Sequence, residues 1–156
     1  YPLSRHALGE IAVIIFFGIV PVCLTYMLMG GSFGWWLLAM SVGIGLMGAN
    51  VLLVNNYRDQ ADDLAVGKRT LAVVIGLRAT ASLYLANGFM AVILTMPAWL
   101  AASRWGWLLP CIYLVLHFIL YTRLVRRHGP ALNPLLGMTA ILMLLYTIAF
   151  MATLIV

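Results

Sequence analysis

The chain has 156 residues, of which 65% are hydrophobic and 8% are charged, and its formal net charge is +5. A soluble domain carries about 25% charged residues, so this composition excludes a soluble globular domain and indicates that lipid is the main solvent. In such a chain the positive charge sets orientation in the membrane, and we expect no nucleic-acid partner.

Five apolar runs follow one another along the chain. Each is long enough to cross about 30 Å of hydrocarbon as a helix that rises about 1.5 Å per residue. Membrane β-strands alternate polar and apolar residues, so unbroken runs favour helices. The prediction is an all-α, polytopic transmembrane bundle, one domain over residues 1–156. Its predicted spans are roughly Gly9–Met29, Trp35–Val54, Ala79–Ala101, Trp107–Leu124 and Pro134–Val156.

The basic residues predict how these spans are oriented. Alternating spans place Arg104 on one side of the membrane, and all the other basic residues on the opposite side. That side therefore carries Arg5, Arg58, Lys68, Arg69, Arg78, Arg123, Arg126 and Arg127. The positive-inside rule makes it cytoplasmic. We expect a multi-pass protein of the bacterial inner (plasma) membrane, with the loop between the second and third spans in the cytoplasm.

Two features inside the spans bear on packing. Ser41, Gly45 and Ala49 recur every four residues in the second span, and small residues at that spacing let another helix approach closely. His117 lies within the fourth span, where an ionisable residue is a functional candidate. An interhelical hydrogen bond is the alternative we favour for it.

The acidic residues are concentrated at one point. Glu10 opens the first span, and the other three acids are Asp59, Asp62 and Asp63, just after the second span. If the helix continues there, Asp59 and Asp63 point the same way, one turn apart. Like charges at that spacing repel, whereas a bound cation reverses the effect. Mg²⁺ suits paired carboxylates, because it takes oxygen ligands and usually one or two carboxylates plus substrate phosphates.

Cationic and amide side chains flank the acidic pair. Lys68 and Arg69 follow it, and both suit phosphate oxygens. Asn55 and Asn56 precede it at the end of a span, where amides are costly unless paired. One loop thus holds carboxylates for a metal and cations for a diphosphate. The alternative is a solvated turn whose cations only set topology.

The loop resembles a known family. The run Asn55-Asn56-Tyr57-Arg58-Asp59 through Asp63, followed by Gly67-Lys68-Arg69-Thr70-Leu71-Ala72-Val73, resembles the second aspartate-rich motif of UbiA-type prenyltransferases. It is most similar to the version in 1,4-dihydroxy-2-naphthoate polyprenyltransferases of menaquinone synthesis. Weaker similarities lie in Tyr1-Pro2-Leu3, Leu8-Gly9-Glu10 and Phe16-Phe17-Gly18, and in Asn133-Pro134-Leu135-Leu136 with Thr139-Ala140.

The resemblance implies a fold, a reaction and residue roles. The family has nine spans, of which this chain corresponds to the last five. The implied reaction transfers a polyprenyl group from a prenyl diphosphate to an aromatic acceptor with Mg²⁺. Asp59 and Asp63 are implied as catalytic metal ligands. The residues implied to bind diphosphate or orient the metal's ligands are Lys68, Arg69, Asn55, Asn56 and Arg58.

One departure from the family limits this expectation. The family's first motif, an Asn-Asp run with a further Asp, has no counterpart in this sequence. We therefore expect part of a larger enzyme, or a half that needs a partner N-terminal half, without activity in isolation. Two alternatives stay open: another aromatic acceptor such as hydroxybenzoate, homogentisate, haem or a chlorophyll ring, or a non-enzymatic membrane scaffold or transport module.

Overall fold

A computed structural model describes residues 6–153. Within that range every regular element is helical and none is a strand, which confirms the all-α prediction. Arg5, the Tyr1-Pro2-Leu3 run and the predicted end of the fifth span at Val156 lie outside the described residues.

Five helices are long and apolar enough to cross a membrane, as predicted. They are the first span Gly9–Leu28, the second Trp35–Arg58, the third Leu71–Ala102, the fourth Leu108–Arg126 and the fifth Gly129–Thr153. The first is α-helical over Gly9–Val13, π-helical over Ile14–Ile19 and α-helical again over Val20–Leu28. The fifth opens with a 3₁₀ turn, Gly129–Leu132, before its α-helix Asn133–Thr153.

The predicted start of the third span at Ala79 was wrong by eight residues. The helix begins at Leu71 and bends at Gly76, whose φ of 81° and ψ of 163° are open to glycine but not to other residues without strain. The Thr80 hydroxyl donates to the Gly76 carbonyl at 2.8 Å and so bridges the bend. Gly76 and Arg78 interrupt the apolar run in the sequence, so the predicted span started after them, at Ala79.

The second span is the centre of the bundle. In its most apolar window 56% of residues are buried, against 11% in the first span. It packs on the third and fifth spans, the fourth span packs between those two, and the first span lies outside this ring against the second. The loop that follows the second span is therefore attached to the best-packed helix of the structure.

Small residues bring the first and second spans together. A Cβ on Gly18 would lie 2.5 Å from the Gly45 Cα, and a Cβ on Gly45 would lie 2.8 Å from the Ile14 carbonyl oxygen. The backbones are thus in contact at Gly45, which confirms the predicted close approach along the stripe that also includes Ser41 and Ala49. Its partner is the first span.

His117 takes part in interhelical contacts, as the favoured interpretation held. Its Nε2 lies 3.0 Å from the Tyr84 carbonyl oxygen, which also accepts from Asn50 Nδ2 at 3.1 Å. The imidazole stacks between the rings of Tyr84 and Tyr113, at centroid distances of 4.5 and 5.6 Å. These contacts connect the second, third and fourth spans at one carbonyl.

Gly88 is the position at which this stack is tested. A Cβ at Gly88 would overlap the His117 ring, which its two aromatic neighbours prevent from moving aside. Gly88→Ala should lower the free energy of unfolding by about 1–3 kcal/mol, the usual cost of overpacking. Unfolding in mixed detergent micelles, followed by tryptophan fluorescence, measures this.

Gly137→Ala is the matched control, since no atom would lie within 4 Å of its Cβ. It should leave the stability unchanged or slightly raised, because alanine favours helix over glycine. Equal stabilities of the Gly88 and Gly137 variants would contradict the packing described for His117.

Candidate functional site

The site begins where the second span ends. Its last helical residue is Arg58, and Asp59 leaves the helical conformation with φ −95° and ψ 8°. A short helix, Gln60–Ala65, follows. The uninterrupted helix considered from the sequence is therefore broken at Asp59. The amide of Asp63 still donates to the Asp59 carbonyl at 2.8 Å, so the two residues remain one turn apart.

Arg58 holds Asp59 with two hydrogen bonds. Its Nε lies 2.6 Å from Asp59 Oδ1, and its Nη2 lies 2.8 Å from Asp59 Oδ2. The Arg58 hydrogen bonds and charge, with a smaller contribution from the charge of Lys68, hold the pKa of Asp59 below its usual value against partial burial. Asp59 is thus anionic at neutral pH, which a metal ligand requires.

The same guanidinium extends this group to two asparagines. Arg58 Nη2 donates to Asn55 Oδ1 at 2.8 Å, and Arg58 Nη1 donates to Asn133 Oδ1 at 2.9 Å. Asn133 begins the α-helix of the fifth span. Arg58 therefore fixes the end of the second span against the start of the fifth, a contact that the sequence alone did not indicate.

Asp63 forms a second group with Lys68. Lys68 Nζ lies 3.0 Å from Asp63 Oδ1, and the Lys68 amide donates to the Asp63 carbonyl at 2.8 Å. Asp63 is buried, and its Oδ2 has no hydrogen-bond partner. A buried carboxylate oxygen without a partner is unfavourable, so Asp63 retains an oxygen that a ligand can use.

Glu10 was not predicted as a site residue, yet it lies here. Its Oε1 accepts from Asn56 Nδ2 at 2.6 Å, and the carboxylate is buried. The amide of Ala7, just before the first span, donates to the Arg69 carbonyl at 2.9 Å and joins this segment to the loop. The available signal was an acidic residue within an otherwise apolar span, which is rare unless it has a partner or a function.

The predicted residues thus form three adjoining groups. Arg58, Asp59 and Asn55 make one, Asp63 and Lys68 the second, and Asn56 with Glu10 the third. A polar cavity of about 90 Å³ brings residues of all three together and is lined in part by Glu10, Asn55, Asn56, Lys68 and Thr70. The Arg69 side chain is exposed at the surface and hydrogen-bonds to none of these groups.

The donor set fits a divalent cation that arrives with its substrate. Within residues 6–153 no three His, Cys, Asp or Glu side chains converge as a preformed metal site. Mg²⁺ does not need one, because it is commonly held by one or two carboxylates together with phosphate oxygens and water. The free, buried Oδ2 of Asp63 is the kind of ligand that this arrangement uses.

Apolar cavities continue from the polar groups into the bundle. One of about 500 Å³ is lined by Asn55 at one end and by residues of the first, second and fifth spans, including Val13, Leu52 and Leu136. A second of about 860 Å³ shares Phe17 and Ile44 with it and extends to Trp36 at the opposite end of the second span. Together they form an apolar groove that begins at the site.

Comparisons with known proteins agree on one family. The model of the UbiA prenyltransferase family matches residues 1–136. A 1,4-dihydroxy-2-naphthoate octaprenyltransferase from Mycobacterium leprae is 32% identical over 95% of this chain and 50% of its own length. A protein of the same name from Haemophilus influenzae is 40% identical over 48% of this chain and 24% of its own length.

A 2-carboxy-1,4-naphthoquinone phytyltransferase from Synechocystis is 34% identical over 50% of this chain and 25% of its own length. The chain spans at most about half the length of these three relatives. No solved structure matches it.

Proposed function

This chain belongs to the UbiA prenyltransferase family, and from that premise we propose that it forms one side of a prenyl-transfer site. The reaction is transfer of a polyprenyl group from a prenyl diphosphate to an aromatic acceptor. The acceptor is 1,4-dihydroxy-2-naphthoate or a close relative, as in menaquinone biosynthesis. Further residues of the same fold complete the site.

One observation carries this proposal: two carboxylates one turn apart lie beside a lysine, near the polar end of an apolar groove. Asp63 keeps a free oxygen, and Lys68 contacts it directly. Asn55 lines both the polar cavity and the apolar one. A prenyl diphosphate has the same division, an anionic head and a long apolar tail.

The loop residues divide the work of binding the head. Asp59 and Asp63 would hold Mg²⁺, which would supply positive charge to stabilise the diphosphate as a leaving group. Lys68 binds a phosphate oxygen as a point charge, and the exposed Arg69 is free to turn its planar guanidinium toward two oxygens. Arg58 keeps Asp59 ionised and Asn55 in place.

The apolar groove binds the polyprenyl tail of the substrate. Its walls are mostly apolar side chains of the first, second, third and fifth spans, so a polyprenyl chain that moves there from lipid meets a surface of similar polarity. Phe17 and Ile44 line both cavities and mark where the chain passes from one to the other. The bond that breaks stays at the polar end.

The names of the relatives support a naphthoate-type acceptor over the alternatives left open by the sequence. We further propose that a facing acidic motif lies in residues of the same fold beyond this sequence. Two carboxylates of this loop would then supply only part of the charge that holds Mg²⁺ and a diphosphate.

The carboxylates give the direct test. In a complete enzyme that contains this chain, Asp59→Ala or Asp63→Ala should reduce Mg²⁺-dependent prenyl transfer by about 100-fold or more, because several kcal/mol of charge stabilisation are lost. Membrane insertion should be intact. Transfer of a radiolabelled prenyl group to 1,4-dihydroxy-2-naphthoate measures the rate, with hydroxybenzoate as the competing acceptor.

Asp62→Ala is the matched control, because Asp62 lies in the same short helix with its side chain exposed. It should retain most of the activity. Near-normal turnover in both the Asp59 and the Asp63 variants would show that the loop does not hold the metal. A preference for hydroxybenzoate as the acceptor would contradict only the proposed acceptor and would leave the proposed prenyl transfer standing.

We also propose that the end of the bundle that carries this loop faces the cytoplasm, in a bacterial inner membrane. Basic residues concentrate at this end in the described chain, which is the pattern of the positive-inside rule. Val66 is 76% exposed and close to Lys68, so it suits chemical labelling.

In a background with Cys23→Ala and Cys111→Ala, Val66→Cys should react with a membrane-impermeant maleimide only after the cytoplasmic side is opened. Ser32→Cys, in the exposed link between the first two spans, should react from the outside. Labelling of Val66→Cys in intact cells would reverse the proposed orientation.

A further inference from the structure

The ion pairs formed among the described residues do not include Glu10. The residue is 5% exposed, its Oε1 accepts from a neutral amide, and its Oε2 has no hydrogen-bond partner. The two ion pairs present in the described residues, Arg58–Asp59 and Lys68–Asp63, both use other carboxylates. An ionised carboxylate this deeply buried costs several kcal/mol unless a positive charge compensates it.

The surroundings of Glu10 indicate where that charge would come from. Glu10 lines the polar cavity of about 90 Å³ together with Lys68 and Thr70, and the Thr70 hydroxyl also lacks a partner. At roughly 30 Å³ per water molecule, the space suits a few waters or a small hydrated ion. Lys68 joins this cavity to Asp63, whose free Oδ2 is the other unpartnered buried carboxylate oxygen.

Glu10 places a carboxylate at the edge of this cavity that is not already ion-paired. Asp59 and Asp63 are bound by Arg58 and Lys68, whereas Glu10 has only the Asn56 amide as a hydrogen-bond partner among the described residues. A cation that entered the cavity would therefore meet a carboxylate that no basic side chain already holds.

Glu10 also fixes the orientation of Asn56. The Asn56 amide donates from Nδ2 to Glu10 Oε1 at 2.6 Å. The amide oxygen of Asn56 is then directed away from Glu10 and is left to bind a cation or its water. Neither the position of the Glu10 carboxylate at the cavity nor the orientation of Asn56 could be predicted from the acidic loop alone.

We propose that Glu10 is a further residue of the divalent-cation site: it supplies an anionic oxygen to the cation, directly or through a bound water, and positions Asn56. This inference rests on the proposed function, since the cation is the one that accompanies the prenyl diphosphate. It adds the first span to a site otherwise built from the loop after the second.

Binding of Mn²⁺ alone, measured by electron paramagnetic resonance on the detergent-solubilised complete protein, tests the proposal without turnover. Glu10→Gln keeps the shape and an oxygen that accepts from Asn56, but it removes the charge. It should weaken Mn²⁺ binding by about tenfold, the lower end of the usual loss for residues that support metal ligands. Its thermal stability should be unchanged or higher, because a buried unpaired charge has gone.

Two further variants separate the outcomes. Asp62→Asn makes the same charge change at an exposed position and should keep Mn²⁺ affinity within about twofold. Asp63→Asn reports on the loop site itself and should weaken binding. Wild-type affinity in Glu10→Gln beside a loss in Asp63→Asn would overturn the role of Glu10 and leave the proposed function standing. Wild-type affinity in both would overturn the cation site and this inference together.

Discussion

Polar groups at the end of an apolar bundle must find their partners inside the protein, because lipid offers none and water reaches them only from one side. At this end of the bundle, Arg58 provides most of these hydrogen-bond partners. Its guanidinium donates to Asp59, Asn55 and Asn133 at once, so one side chain satisfies a carboxylate and two amides on two spans. The loop that carries Asp63 and Lys68 starts from this fixed point.

The scaffold below the loop is held by contacts of the same kind. The Tyr84 carbonyl oxygen accepts hydrogen bonds from Asn50 and His117, which lie on two different spans. Aromatic stacking holds the His117 ring in place. On the outer side, backbone contact at Gly18 and Gly45 places the first span against the second. That contact brings Glu10 to Asn56, so helix packing decides which residues meet at the site.

Sequence alone predicted the parts of this structure that depend on local pattern. Apolar runs long enough for a bilayer gave five spans, and the stripe through Gly45 gave a close approach without its partner. The start of the third span was missed because Gly76 bends a helix that continues across it. Arg58 was expected only among the residues that bind diphosphate or orient the metal's ligands, and Glu10 was noted only as the residue that opens the first span. Their partners lie 75 and 46 residues away, and no local pattern reports such contacts.

The carboxylates also differ in how completely they are satisfied, and that difference is informative. Asp59 has both oxygens bound by Arg58, whereas Asp63 and Glu10 each have one oxygen bound and one free. Neutral buried groups such as Asn50 Oδ1 also lack a partner, but each costs only about 1–3 kcal/mol, less than a charge. A stable bundle gains nothing from two half-satisfied carboxylates, of which Glu10 lines the cavity and Asp63 binds a lysine that lines it. Places where local rules fail without compensation are expected at functional sites, and the positive charge of a divalent cation is the kind of compensation that such oxygens lack.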